Sequence, residues 1–192
     1  MITLMYITND PKLAAIAHAA GVDRLFVDWE IEGKVARQGH RDTVISGHSY
    51  QDAERVRAAV SDAELLIRIN PLGRRSSEEV EKALDCGADL IMLPMFRKLE
   101  EVVKLCRIVD GRAKIIPLLE TPESIGIASE IAAIDDVFEL YVGLNDLHMA
   151  LGMQFIFEPL AQGLVNDVSM AAIDANKRFG FGGIARIGEG II

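Results

Sequence analysis

Apolar and polar residues along the chain alternate between two periods. Short β-branched and aromatic runs recur between longer segments whose apolar residues fall three and four apart, the spacings of strand and helix respectively. Strands are predicted at Ile2–Thr8, Leu25–Val27, Glu64–Asn70, Asp89–Met95, Ile115–Leu119, Phe138–Gly143 and Phe181–Ile187. Between them, Leu13, Ile16, Ala17 and Ala20 fall at helical spacing, as do Leu99, Val102, Val103 and Cys106. Asp10-Pro11, Ser49 and Thr121-Pro122-Glu123 mark helix starts, and Ser76 or Ser77 caps the helix that ends at Gly87. Gly21 and Gly111 end helices, Pro71-Leu72-Gly73 breaks the third strand, and a long helix is predicted from about Pro159 to Arg178, ending at Gly180. Residues 31–49, IEGKVARQGHRDTVISGHS, form a polar loop.

Seven strand–helix repeats, with apolar residues on both faces of most strands, predict a parallel sheet covered by helices. Seven strands with one missing favour a TIM (β/α)8 barrel, apparently truncated after strand seven, over a doubly wound sheet. Residues 1–192 are read as a single (β/α) barrel domain. A barrel usually takes about 250 residues, so the chain is expected either to be cut before strand eight or to be closed by an element of another chain.

Composition narrows the partners. The formal charge is −9, from 20 basic and 29 acidic residues, with no basic block. This argues against nucleic acid and against an anionic membrane surface, while an anionic small molecule stays open because a site can be locally positive. No apolar run is long enough to span a bilayer. Cys86 and Cys106 sit in helix-like segments and read as buried, reduced thiols of a cytoplasmic protein.

The chemistry concentrates where strands end. The stretch from Lys114 to Gly152 reads strand, acid, helix, strand, acid, with Glu120 after the fifth strand and Asp146 after the sixth. Parallel strands bring both acids to one sheet edge, where their mutual repulsion calls for a cation or a shared proton. Mg²⁺ or Mn²⁺ suits such hard oxygen donors, with substrate oxygens completing the shell. At the same edge stand Asp28 and Glu30 of strand two, Arg68 and Asn70 of strand three, Pro94-Met95 of strand four and Arg186 of strand seven. Arg68 can bind an oxyanion in a fixed fork, or it can serve as an ion-pair partner of Asp28 or Glu30. A 2-oxo acid such as pyruvate would meet the metal through its carboxylate and keto oxygens, and Arg68 would stabilise the enolate formed when a C–C bond breaks. Trp29 reads as packing and His148 as a cap or a solvated side chain. The glycines of FGFGGIARIGEG suit either phosphate binding or tight packing.

FVDWE, LIRIN, LPM, LLETPES and YVGLNDLHMALG, in that order, resemble the HpcH/HpaI aldolase and citrate lyase β-subunit family of the phosphoenolpyruvate/pyruvate TIM-barrel superfamily. The resemblance runs from about Gly21 to Gly190. It implies that Glu120 and Asp146 are the metal ligands and that Arg68 binds substrate. Backbone amides from Gly143 through Asn145 to Asp146 would receive the pyruvyl carboxylate. It further implies metal-dependent aldol or Claisen-type cleavage, and a homo-oligomer, trimer or hexamer, that often exchanges a C-terminal helix. The aldolase branch carries a histidine where this chain has Ile31; Glu32, or Arg37 and His40 from the same loop, are the available substitutes, and His40 is assigned as the base. The reading is a lyase cleaving a 4-hydroxy-2-oxo acid. The alternatives are a citryl- or malyl-CoA-type lyase acting on an acyl-CoA, and a non-catalytic barrel that binds metal and 2-oxo acid.

Overall fold

The computed structural model describes residues 2–31 and 49–183. Its seven strands are β1 (Met5–Ile7), β2 (Arg24–Asp28), β3 (Glu64–Arg68), β4 (Leu90–Leu93), β5 (Lys114–Leu119), β6 (Glu139–Gly143) and β7 (Arg178–Gly182). All neighbours pair in parallel, and their order in the sheet is their order in the chain. A doubly wound sheet reverses direction at a switch point; this one never does. Nine helices are found among the described residues: α1 (Pro11–Ala19), α2 (Tyr50–Ala59), α3 (Ser76–Asp85), α4 (Leu99–Val109), α5 (Pro122–Gly126), α6 (Ala128–Ala132), α7 (Leu144–Ala150), α8 (Glu158–Ala161) and α9 (Leu164–Asp174). None of them is long and apolar enough to cross a membrane.

Side chains show that the sheet is curled. Arg24 at the start of β2 donates to Glu139 at the start of β6, through Nη1 and Nη2 at 3.2–3.3 Å. On a flat sheet, strands four places apart would be separated by about 19 Å. Closure of that gap to hydrogen-bond distance makes the sheet an open barrel, as expected of a (β/α)8 fold lacking a unit. Between the two edge strands, Arg178 Nη2 reaches Thr3 Oγ1.

The interior has three layers, because inward positions recur every second residue and the registers align them. At the N-terminal end lie charges: Arg24, Glu64, Lys114, Glu139 and Arg178. Above them Leu66, Leu90, Met92, Ile116 and Leu118 form an apolar layer with Met5, Phe26, Phe138 and Tyr141 around it. The next inward positions are Asp28, Arg68, Glu120 and Gly143, at the C-terminal end. Outward residues such as Val27, Ile67, Ile91, Leu119 and Val142 join the larger core between sheet and helices.

Most local signals act as the sequence predicts. Asp10 caps α1 through Lys12 N at 2.7 Å, with Pro11 opening the helix. Ser49 and Asp52 form a reciprocal cap on α2, and Thr121 caps α5. Three details differ. Ser76 lies inside α3, whose cap position is Arg75, and its Oγ accepts from Gly73 N instead. β1 starts at Met5, later than the predicted Ile2. The long helix predicted from about Pro159 is two, α8 and α9, parted at Gly163 with φ 78°; α9 stops at Asp174 and β7 begins at Arg178, three residues before the predicted Phe181. Asn176 takes a left-handed conformation, φ 55°, and Lys177 N returns to Ala172 O at 2.8 Å. Asparagine tolerates that geometry and ends the helix, so Gly180 is not needed as a stop. Cys86 and Cys106 are free and buried.

Arg24 is fully buried, and its loss would leave Glu139, itself 5% exposed, without its main counter-charge. Arg24→Leu is expected to destabilise the fold by about 3 kcal/mol or more in urea unfolding, and Arg24→Leu with Glu139→Leu to recover most of that.

Candidate active site

The strand that carries each acid also aims it. In β5, Ile116 and Leu118 face the barrel interior, so Glu120, one step past the strand, continues inward. Its environment is crowded. Glu120 is 2% exposed, and its Oε1 accepts from Met95 N at 2.9 Å. A Cβ on Gly143 would stand 2.8 Å from Oε2, so only glycine leaves room for the carboxylate there. Met95 holds its amide in place from a left-handed backbone, φ 54°, which is costly for a residue with a side chain.

Arg68 occupies the inward position of β3 above Leu66. Its Nε and Nη2 each donate at 2.8 Å to the two oxygens of Asp28, its register partner on β2. Glu30 Oε2 lies 3.4 Å from Nη2, and the guanidinium covers Phe26 with 5.5 Å to the ring centroid. Asp28 and Glu30 are both buried. The fork of Arg68 is thus anchored on one edge by Asp28, and Nη1 makes no hydrogen bond among the described residues. Asp28, Glu30, Arg68 and Glu120 therefore sit together, with Arg68 charge felt at Glu120.

Asp146 comes from α7, three residues beyond β6, and is 7% exposed. Gly143 is the N-cap of that helix and Asn145 lies in its first turn, half-buried. Burial pushes the Glu120 carboxyl up to about 8; the Arg68 charge opposes this, while Asp146 and Glu30 add to it and the Met95 amide pulls it back. The two acids are thus coupled, as carboxylates at one strand edge should be.

Whether a cation fits can be judged from these donors. Glu120 and Asp146 offer hard carboxylate oxygens whose joint ionisation is penalised by burial and repulsion, and a divalent cation relieves both. Among the described residues no group of three or more His, Cys, Asp or Glu gathers to hold a metal. Two carboxylates still suit Mg²⁺, which keeps waters and takes substrate oxygens.

Other predicted residues are placed differently. His40, Glu32, Arg37 and Arg186 lie outside the described residues. His148 is buried rather than solvated, with Nδ1 3.0 Å from Leu144 O one helical turn back. Trp29 is core packing: it is 3% exposed, donates Nε1 to Ser49 O and meets Tyr50 edge to face. Asn70 turns away from Arg68, accepting from Ile31 N and donating to Glu79. The Met95 amide and the inward Tyr141 were not singled out from the sequence; the first is a backbone group, and the second is hidden in an apolar run, although its position two before Gly143 gives it the same inward parity.

The comparisons bear on this architecture. The family model for HpcH/HpaI aldolase/citrate lyase matches residues 2–158. No curated protein matches the chain. Among solved structures, an HpcH/HpaI aldolase/citrate lyase family protein from Burkholderia cenocepacia J2315 superposes with a TM-score of 0.76 at 19% identity, over 93% of this chain and 78% of that one. An HpcH/HpaI aldolase from Desulfitobacterium hafniense DCB-2 gives 0.75 at 18%, over 97% and 80%. A citrate lyase β subunit from M. tuberculosis, complexed with oxaloacetate and magnesium, gives 0.62 at 20%, over 93% and 76%. At such identities the structures attest the fold, and the family match attests the kinship. The chain belongs to the HpcH/HpaI aldolase/citrate lyase family of carbon–carbon lyases.

Proposed function

We propose that this enzyme cleaves a 4-hydroxy-2-oxo acid to pyruvate and an aldehyde, in one barrel domain, with Glu120 and Asp146 holding a divalent cation. The observation that carries the reading is the pairing of two buried, mutually repelling carboxylates with an arginine that Asp28 anchors beside them. The magnesium and oxaloacetate in the M. tuberculosis neighbour support the same choice of ion and ligand class. When bound, the cation, Mg²⁺ or Mn²⁺, polarises the oxo-acid oxygens as a Lewis acid.

The chain's own groups do the rest. Arg68 faces the oxo acid with Nη1 while Asp28 fixes the plane of the guanidinium. Amides at Gly143, Asn145 and Asp146 receive the substrate carboxylate. A base, assigned to His40, takes the proton of the C4 hydroxyl. The C3–C4 bond then breaks, its electron pair passes into the pyruvate enolate, and the aldehyde leaves. Arg68 stabilises the developing enolate charge electrostatically.

A second reading has its own observation. Beside Asn70, a cavity of about 210 Å³ is lined by Arg74, Arg75, Ser76 and Glu79, and both arginines are exposed. Such charges suit the phosphates of an acyl-CoA, the ligand class of a citryl- or malyl-CoA-type lyase, and a neighbour from Mycobacterium tuberculosis was solved with coenzyme A. Turnover on an acyl-CoA, with none on free hydroxy-oxo acids, selects this reading. Oxo-acid binding without any turnover selects a non-catalytic barrel.

Arg68→Lys is expected to lower kcat/KM by about 100-fold or more, since a lysine cannot keep the forked bond to Asp28 and still face substrate; steady-state kinetics on pyruvate-yielding aldols checks this. The sign of the pH effect follows from Glu120. In the metal-free protein its folded-state pKa is raised from 4.5 to about 8, so the stability it contributes is full below about pH 4.5 and is lost as pH rises toward 8. The loss is expected to reach at most about 1.4 kcal/mol per pH unit. Glu120→Gln should flatten it, and the upward Tm shift given by Mg²⁺ should be larger at pH 8 than at pH 5 and vanish in that variant.

A further inference from the structure

Tyr141 is the inward side chain of β6 one step below Gly143, and nothing above gives it a role. Its ring lies against β7, where the inward positions are Gly180 and Gly182. A Cβ on Gly180 would stand 2.7 Å from the ring, and one on Gly182 would stand 2.5 Å from the hydroxyl oxygen. The ring therefore rises along the inner face of β7, and the hydroxyl emerges at Gly182. That residue is the register partner of Gly143, whose own Cβ position is 2.8 Å from Glu120 Oε2. Adjacent strands are about 4.8 Å apart, so the hydroxyl over β7 stands at the level of the Glu120 carboxylate, which reaches from β5 over Gly143 of β6.

The hydroxyl makes no hydrogen bond among the described residues, although a phenol in a barrel interior usually finds a partner. Tyr141 is half-buried and packs against the apolar layer of the interior. Burial, and then the Glu139 charge beneath it, push the phenol above its ordinary value, with Arg24 opposing. It is therefore a neutral donor across the physiological range.

Resting on the lyase reading, we propose that Tyr141 is a further catalytic residue, whose hydroxyl donates a hydrogen bond to an oxygen of the bound 2-oxo acid from the side of the chamber opposite Arg68. Arg68 stands on β3 and Tyr141 on β6, so their donors converge across the barrel. Two donors on separate walls hold the plane of an enolate, which one cannot do. No bond is made or broken by this contact.

The test is calorimetric titration of oxalate, a flat dianion shaped like the pyruvate enolate, with saturating Mg²⁺, on the wild-type chain and on Tyr141→Phe. The variant keeps the ring that fills the space over Gly180, and its Tm should stay within a few degrees. Oxalate affinity is expected to fall at least about tenfold and kcat on a cleaved aldol about 100-fold. Oxalate should also perturb the near-UV tyrosine difference spectrum of the wild type, a signal the variant lacks; the other two tyrosines remain as internal controls. Gly182→Ala, which displaces the hydroxyl without removing it, should weaken oxalate similarly. Metal-dependent binding by the wild type with unchanged affinity in Tyr141→Phe overturns this inference alone. Absence of metal-dependent oxalate binding by a folded wild type overturns the lyase reading and this inference with it.

Discussion

The structure depends on one constraint: parallel strands in register commit their side chains to inside or outside in alternation. Once Arg24 pairs with Glu64, Glu139 with Arg178 and Asp28 with Arg68, the inward column of each strand is set from end to end. Charge closes the N-terminal end, hydrocarbon fills the middle, and charge returns at the C-terminal end. A slip of one residue in any strand would send Arg24 or Glu120 into the helix layer and Val27 or Leu119 into the barrel. The ionic layer around Arg24 thus does more than neutralise itself. It ties β2 and β3 to β6 across the barrel, and so holds the curvature that brings β2, β3 and β5 to a common rim.

Much of this was legible before any coordinates. Period-two runs ending in acids located β2, β5 and β6, and the parallel direction of the strands brought Asp28, Arg68 and Glu120 to one sheet edge. What stayed hidden has physical causes. The bidentate Arg68–Asp28 pair was one of two open readings, because alternation says which side chains share a face but not which of them touch. Met95 contributes through its amide, which no residue-type signal reports. The end of the last helix was read from the nearest glycine, whereas a left-handed asparagine stops the helix earlier. His148 is buried rather than solvated because a short helix turns its side chain back on the Leu144 carbonyl, a matter of local phase that spacing cannot resolve.

Electrostatics explains why these residues belong together. Three buried carboxylates, Asp28, Glu30 and Glu120, gather around the half-buried Arg68 with buried Asp146 nearby, and among these described residues acids outnumber bases. A protein stabilises such an excess poorly on its own. The raised Glu120 carboxyl reflects its burial and the acids beside it. On the proposed reading a bound cation would offset that repulsion, so stability at neutral pH and ligand affinity would be opposed in this rim.

The glycines of β6 and β7 have a geometric consequence. At the rim Gly143 leaves its side-chain space to the Glu120 carboxylate, and Gly182, its register partner, leaves its space to the Tyr141 hydroxyl. Two residues with no side chain thus decide where two polar groups can stand, and the layout of the rim is written as much in what the barrel leaves out as in what it supplies.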